Sequence, residues 1–111
     1  MATARFVHDG NAIDYTPGSA VTAGDVVVQG ELVGVAKLDI AASALGALAV
    51  TGVFDFPKAT GAGTAITAGA NCYWDAANSR ATTTATGNKL IGKVVAAAAD
   101  ADDTVRVRLS Q

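Results

Sequence analysis

Short runs of alternating apolar and polar residues predict a chain built from nine or ten short β-strands. In the clearest run, residues 104–109 (TVRVRL), every second residue is apolar, so one face of that strand is predicted to be buried and the other solvated. Residues 32–36 (LVGVA) are apolar throughout, which is typical of a strand covered on both faces. Glycine, proline and asparagine separate these runs every 6–12 residues or so. This spacing favours an all-β fold over a helical one.

The chain also repeats itself. Residues 19–24 (SAVTAG) return 45 positions later as residues 64–69 (TAITAG), and each copy precedes a strand-like run. A second echo, residues 32–34 (LVG) against 90–92 (LIG), is offset by 58. Self-similarity of this kind indicates a duplicated structural unit. We therefore expect two related β units, with about 13 extra residues inserted between positions 74 and 90 of the second.

These patterns divide one predicted domain, residues 1–111, into three parts. Residues 1–16 form an N-terminal arm with two short strands, around residues 5–7 and 12–15, joined by an Asp-Gly-Asn turn. The first β unit is residues 17–60 and the second is residues 61–111.

Three stretches inside the two units carry specific expectations. Residues 40–48 fit either a helix face or a loop leading into a strand, and we favour the loop because glycine interrupts the helical pattern. A single strand is predicted over residues 47–56, stopped by Pro57. The threonine-rich residues 81–86 are predicted to be a strand because threonine is branched at Cβ.

Composition excludes several classes of protein. The chain has a net charge of −2 and eight scattered basic residues, which does not favour nucleic-acid binding. One cysteine allows no intrachain disulfide. The 50% hydrophobic content is largely alanine and valine, and a core of small residues gains from oligomerisation. No secretion signal or membrane-spanning run is evident, so we expect a soluble protein made in the cytoplasm.

No candidate for catalysis, cofactor binding or metal binding emerges. Residues 87–93 (GNKLIGK) fit the beginning of a phosphate-binding loop, but Val94 stands where a magnesium-binding Ser or Thr is required. His8 is the only histidine, so no histidine-pair metal site is possible and a Ser-His-Asp arrangement would rest on His8 alone. Cys72, the only cysteine, has no histidine or basic cluster near it in sequence to lower its pKa. We therefore expect no enzyme, no cofactor and no small-molecule substrate.

The adjacent aromatic residues Tyr73 and Trp74 are candidates for an interface. Strict alternation places them on opposite faces of a strand, so one can enter the core while the other reaches the surface. Packing of both within the monomer is the alternative. Together with Thr82 and Thr84 of the insertion, they are the residues that we predict for a subunit or partner interface.

Motifs spread over almost the whole chain resemble a family of small tailed-phage and prophage proteins, some of them labelled recombinase-like. The resemblance is carried by residues 6–11 (FVHDGN), 22–28 (TAGDVVV), 32–36 (LVGVA), 51–58 (TGVFDFPK), 73–75 (YWD), 84–92 (TATGNKLIG) and 105–109 (VRVRL). The family is similar to the capsid-decoration, or head-stabilising, proteins. The resemblance implies a small β-clip or β-tulip-like barrel or sandwich with an extended N-terminal arm.

The resemblance also implies a function. Such a protein binds the outside of an expanded phage capsid, as a homotrimer that bridges major capsid subunits. The implied capsid contact is the arm, residues 2–15, which would add a strand to a capsid sheet through Phe6, Val7, His8, Ile13 and Tyr15. Alternatives are another virion module, in the tail, baseplate or fibre, and, more weakly, a nucleotide- or DNA-binding recombination accessory.

Overall fold

The computed structural model describes residues 3–111, so Ala2 of the predicted arm lies outside the described residues. Within this range the chain forms nine β-strands and no helix, which confirms the all-β prediction. The strands are β1 (Ala12–Tyr15), β2 (Val26–Gln29), β3 (Leu32–Ala36), β4 (Gly46–Ala49), β5 (Val53–Pro57), β6 (Asn71–Asp75), β7 (Arg80–Thr82), β8 (Lys89–Ala96) and β9 (Thr104–Leu109).

The strands form two antiparallel sheets that share one core. The first sheet has the order β1-β4-β3-β2 and the second β5-β9-β8-β6-β7. Val33 and Val35 of β3 pack into the same buried cluster as Phe56, Ile91 and Val107 of the second sheet. The outer strands of the second sheet approach each other at one bridge, between residues 58 and 81, without closing a barrel. Of the two architectures expected, the sandwich is the one observed.

Matched hydrogen bonds show that the repeated sequence marks a repeated structure. In the first unit, Val21 and Ile40 exchange two backbone hydrogen bonds of 2.8 Å. In the second, Ile66 and Ala98 exchange two of 2.9 Å. The offsets between equivalent partners are 45 and 58 residues, the same offsets as in the two sequence echoes. The two repeated phrases therefore occupy equivalent places in the two sheets.

The glycine that ends each repeated phrase has the same conformation and the same kind of hydrogen bond in both units. Gly24 and Gly69 adopt φ values of 95° and 86°, which glycine tolerates better than other residues. Each donates its N–H to an equivalent strand, Gly24 to the oxygen of Ala36 in β3 at 2.6 Å and Gly69 to that of Val94 in β8 at 2.7 Å. The turn thus joins the repeated phrase to its own sheet.

The hairpin predicted at the beginning of the chain is wrong. Residues 5–7 form no strand, and β1 pairs instead with β4, from Ala12 opposite Ala49 to Tyr15 opposite Gly46. An isolated two-stranded hairpin is marginally stable at best, whereas β4 offers β1 a place in a larger sheet.

The single strand predicted over residues 47–56 is also wrong. It is two strands, β4 in the first sheet and β5 in the second, separated at Gly52 with φ 107°. The loop favoured before β4 is confirmed, since no helix forms there. Gly46 begins β4 directly beneath Ile40, where an added Cβ would lie 2.6 Å from the Ile40 side chain. As predicted, Pro57 is the last residue of its strand.

The threonine-rich strand is shorter than predicted. It ends at Thr82, whose Oγ1 accepts a hydrogen bond of 3.2 Å from the Thr84 N–H. The oxygen of Thr84 in turn accepts one of 2.9 Å from the Asn88 side chain. Local side-chain hydrogen bonds of this kind compete with strand pairing, which accounts for the loop.

Candidate functional site

The N-terminal arm presents two large apolar side chains to solvent. Phe6 is 79% exposed and Val7 74%. No backbone–backbone hydrogen bond joins residues 3–10 to the rest of the described chain. His8 is exposed, and its Nδ1 lies 2.5 Å from the backbone oxygen of Asp9. The arm therefore offers an unpaired backbone together with apolar side chains, which is what a partner's sheet edge can take up.

The two remaining arm residues predicted for capsid contact occupy different surroundings. Ile13 and Tyr15 are half-buried and pack against a small cluster formed by Ala36, Ile40 and Leu48. This packing, with the pairing of β1 and β4, fixes the base of the arm. The structure thus separates the free residues 3–10 from an anchored β1.

A second apolar surface lies beside the base of the arm, and sequence reasoning missed it. Leu38 and Leu45, 77% and 72% exposed, belong to the loop between β3 and β4. They line a groove of about 880 Å³ that extends to Asn11 and Ala12. The positions 58 residues further on, in the second unit, are alanine and aspartate. A position-by-position comparison of the two repeats would have revealed these leucines.

The predicted interface aromatics are divided between core and surface. Trp74 is 8% exposed and packs against Phe56, with ring centroids 6.1 Å apart. Tyr73 is half-buried on the opposite face of β6. The expectation that one of the pair enters the core is met by Trp74. Trp74 also lines a shallow groove beside β2.

The other two predicted interface residues line a polar pocket around a buried lysine. Thr82 is half-buried and Thr84 exposed, and both line this pocket. Lys58, only 6% exposed, donates to the backbone oxygens of Ala59 at 2.7 Å and Asp102 at 2.9 Å, and to Thr64 Oγ1 at 3.3 Å. The ammonium group is thereby satisfied without a carboxylate, and it joins the loop after β5 to the acidic turn before β9.

Within residues 3–111, no group of three or more His, Cys, Asp or Glu side chains is placed to hold a metal ion. Burial raises the pKa of the Cys72 thiol to about 11, so the thiolate required of a nucleophile is disfavoured. Gly92 and Lys93 of the phosphate-loop-like motif lie within β8, where the helix N-terminus that receives phosphate is absent. In the same range, no helix is long and apolar enough to cross a membrane.

The polar side chains of the second sheet's outer face pair with one another. Arg106 Nε lies 2.9 Å from Asp55 Oδ1 across β5 and β9. The hydrogen bond from Arg106 lowers the pKa of Asp55. This exposed pair stabilises strand pairing and presents no reactive group.

Comparison with known proteins identifies a family. A family model described as phage cement protein matches residues 7–109. No curated protein and no solved structure matches the chain.

Proposed function

The chain belongs to the phage cement protein family, and from this premise we propose that it binds the outer surface of an expanded capsid and bridges neighbouring major capsid subunits. Membership makes it a structural virion protein that stabilises the capsid. The observation that carries the proposal is the extent of the match, which spans both β units from residue 7 to residue 109.

The proposed capsid contact is the arm. Phe6, Val7 and His8 are exposed and belong to a segment without backbone partners in the described chain. Ile13 and Tyr15 support the contact from the anchored strand beneath it. An extended segment that adds a strand to a sheet edge gains backbone hydrogen bonds along its whole length. The exposed leucines of the loop between β3 and β4 extend this apolar surface.

The proposed assembly is a homotrimer that acts by binding alone. The proposed contacts with a subunit or a partner are made by Tyr73, Thr82 and Thr84. Trp74 would contribute to the same interface through the groove beside β2. A net charge of −2 disfavours competition for packaged DNA. We propose synthesis in the host cytoplasm, followed by addition to the capsid exterior, with no nucleic acid, cofactor or small molecule required.

Co-sedimentation with capsids of the encoding phage tests this function. The protein is expected to pellet with expanded capsids and to stay in solution with unexpanded ones. Deletion of residues 3–10 should weaken binding at least about tenfold, while Val53→Ser, at an exposed site on β5, should leave it unchanged. If the intact protein pellets with neither capsid form, the function is wrong. If the deletion variant binds as tightly as the intact protein, the arm is not the contact.

A further inference from the structure

The outer edge of β2 is an unpaired strand edge. The Ala36 N–H donates to the oxygen of Asp25 at 3.0 Å, which fixes the alternation of the β2–β3 ladder. By that alternation, the backbone groups of Val26 and Val28 point away from β3. No hydrogen bond within residues 3–111 reaches them. Two N–H and two C=O groups are thus available to another strand.

The second unit shows how this position is completed. Its equivalent of β2, 45 residues later, is β6, and the outer edge of β6 is covered by β7, with Tyr73 opposite Thr82 and Trp74 opposite Ala81. Among the described residues 3–111, the first unit has no counterpart of β7. A groove of about 530 Å³ lies there instead, lined by the β2 valines, Trp74, Pro57 and Ser79. One unit therefore holds a strand that the other lacks.

This edge also lacks the features that normally prevent edge-to-edge association. Charged residues, proline or a covering segment usually prevent an unpaired edge strand from pairing with another chain. Asp14 lies in β1, and β5 contains Asp55 and Pro57. In contrast, β2 is Val-Val-Val-Gln. Of the two outer strands of the first sheet, β2 is the one that requires a cover.

We infer that the arm of a second copy of this chain, around residues 4–8, pairs with the outer edge of β2. This segment has no backbone partner within its own described chain. In the chain that carries the receiving β2, the arm leaves the sheet at Asn11, at the opposite (β1) edge. There the Asn11 oxygen accepts a hydrogen bond of 3.0 Å from the Val50 N–H. Three strand spacings, about 14 Å, separate the two edges. Residues 9–11 span at most about 11 Å, so the pairing is between chains.

Charge and alternation fit the same occupant. Asp25, exposed immediately before β2, carries the charge opposite to that of Arg5 on the arm. Neighbouring residues of an extended strand face opposite sides, so Phe6 can enter the groove over Trp74 while Val7 faces outward. Phe6 is then buried between subunits and no longer contacts the capsid, whereas Val7 and the edge of the arm that faces away from β2 remain available to it.

Pairing of the arm with β2 agrees with the proposed trimer. The arm leaves from the β1 edge and is received at the β2 edge, so the interface joins two different surfaces. A heterologous interface of this kind gives a ring where its rotation closes, and the proposed trimer is such a ring. This deepens the proposed function, on whose trimer it rests, by identifying the surfaces that meet.

Light scattering of the pure protein, without capsids, tests the pairing. The intact chain is expected to have the mass of a trimer of 11.0 kDa subunits. Val28→Pro, which removes an outward N–H of β2, should reduce the mass to that of a monomer. The matched control is Val53→Pro, also at an outward-pointing position of an outer strand, and it should remain trimeric. Deletion of residues 3–10, which touches no backbone bond of the body, should give monomers as well.

Disulfide trapping distinguishes a neighbour's arm from the chain's own. With Phe6→Cys and Val26→Cys combined, oxidation should give covalent multimers on a non-reducing gel, while Phe6→Cys alone should not. A disulfide confined to single chains, a monomeric intact protein, or a trimer unaffected by Val28→Pro and by arm deletion would each overturn the inference. If the trimer is confirmed but the protein does not bind capsids, the proposed function is wrong and the inference about the arm still holds.

Discussion

The contact between β8 and β9 at Gly92 gives the sharpest prediction about stability. A Cβ added at Gly92 would lie 1.9 Å from the backbone oxygen of Arg108 and 2.7 Å from the nitrogen of Ser110. An ordinary carbon–oxygen contact is about 3.3 Å, so Gly92→Ala requires the strands to separate by about 1.4 Å. Both obstructing atoms belong to the backbone, and neither can rotate away.

The cost follows from the bonds that this separation breaks. The Ser110 N–H donates to the oxygen of Ile91 at 3.0 Å. The Leu109 N–H donates to Gly52 of the loop before β5, so the next hydrogen-bonded pair between β8 and β9 is Lys93 with Arg108. Two lost backbone hydrogen bonds cost about 1 kcal/mol each, and overpacking adds about 1–3 kcal/mol. We therefore expect Gly92→Ala to lower the free energy of unfolding by about 3–5 kcal/mol, which lowers the melting temperature by more than about 10 °C.

Urea denaturation followed by tryptophan fluorescence measures this change, because Trp74 is buried in the same core. Gly34→Ala, at the equivalent position of the first unit, should cost less, since its nearest obstacle is the Leu48 side chain at 2.9 Å. Gly18→Ala meets no atom within 4 Å and should change stability by less than about 0.5 kcal/mol. A Gly92→Ala variant within that margin of the wild type would refute the reasoning.

Three further predictions concern polar and sulfur groups. Lys58→Met leaves carbonyl oxygens without their donor and should cost about 2–4 kcal/mol in urea denaturation, whereas exposed Lys37→Met should cost almost nothing. The hydrogen bond from Arg106 holds the pKa of Asp55 below its usual value of 3.8, so the pair stabilises the fold above that pH. The stability difference between wild type and Asp55→Asn should therefore shrink as the pH falls below 3.8, and a difference that persists in acid would contradict this. With its pKa raised to about 11, the Cys72 thiol should resist a thiol reagent at pH 8 until urea unfolds the chain.

The repeat and the strongest strands could be predicted from sequence because local patterns determine them. In β9 the alternation of apolar and polar residues sets both the strand and its buried face, and the observed strand is the predicted one. The 45-residue offset reappears in matched hydrogen bonds because each repeated phrase contains the turn that leads into the next strand, and the 58-residue offset reappears because its echo lies in equivalent strands, β3 and β8. Local sequence was sufficient in these places.

Predictions failed where a distant partner decides the structure. Residues 5–7 have a strand-like composition but no strand to pair with in the described chain, whereas β1 pairs with β4. The strand is broken at Gly52 because the residues before it pair in the first sheet and those after it pair in the second. No local sequence pattern indicates this change of sheet. The exposed leucines 38 and 45 were missed because an apolar residue in a loop is ordinary in isolation. Only the comparison with the small and acidic residues of the second unit makes them distinctive.

Imaging of virions of the encoding phage, with and without this protein, tests the central claim most directly. The account predicts density on the outer surface of the head, between major capsid subunits, that disappears when the protein is removed. The depleted heads should also release their DNA at lower temperature than complete heads. Density confined to the tail, or heads unchanged in both respects by removal of the protein, would contradict the claim.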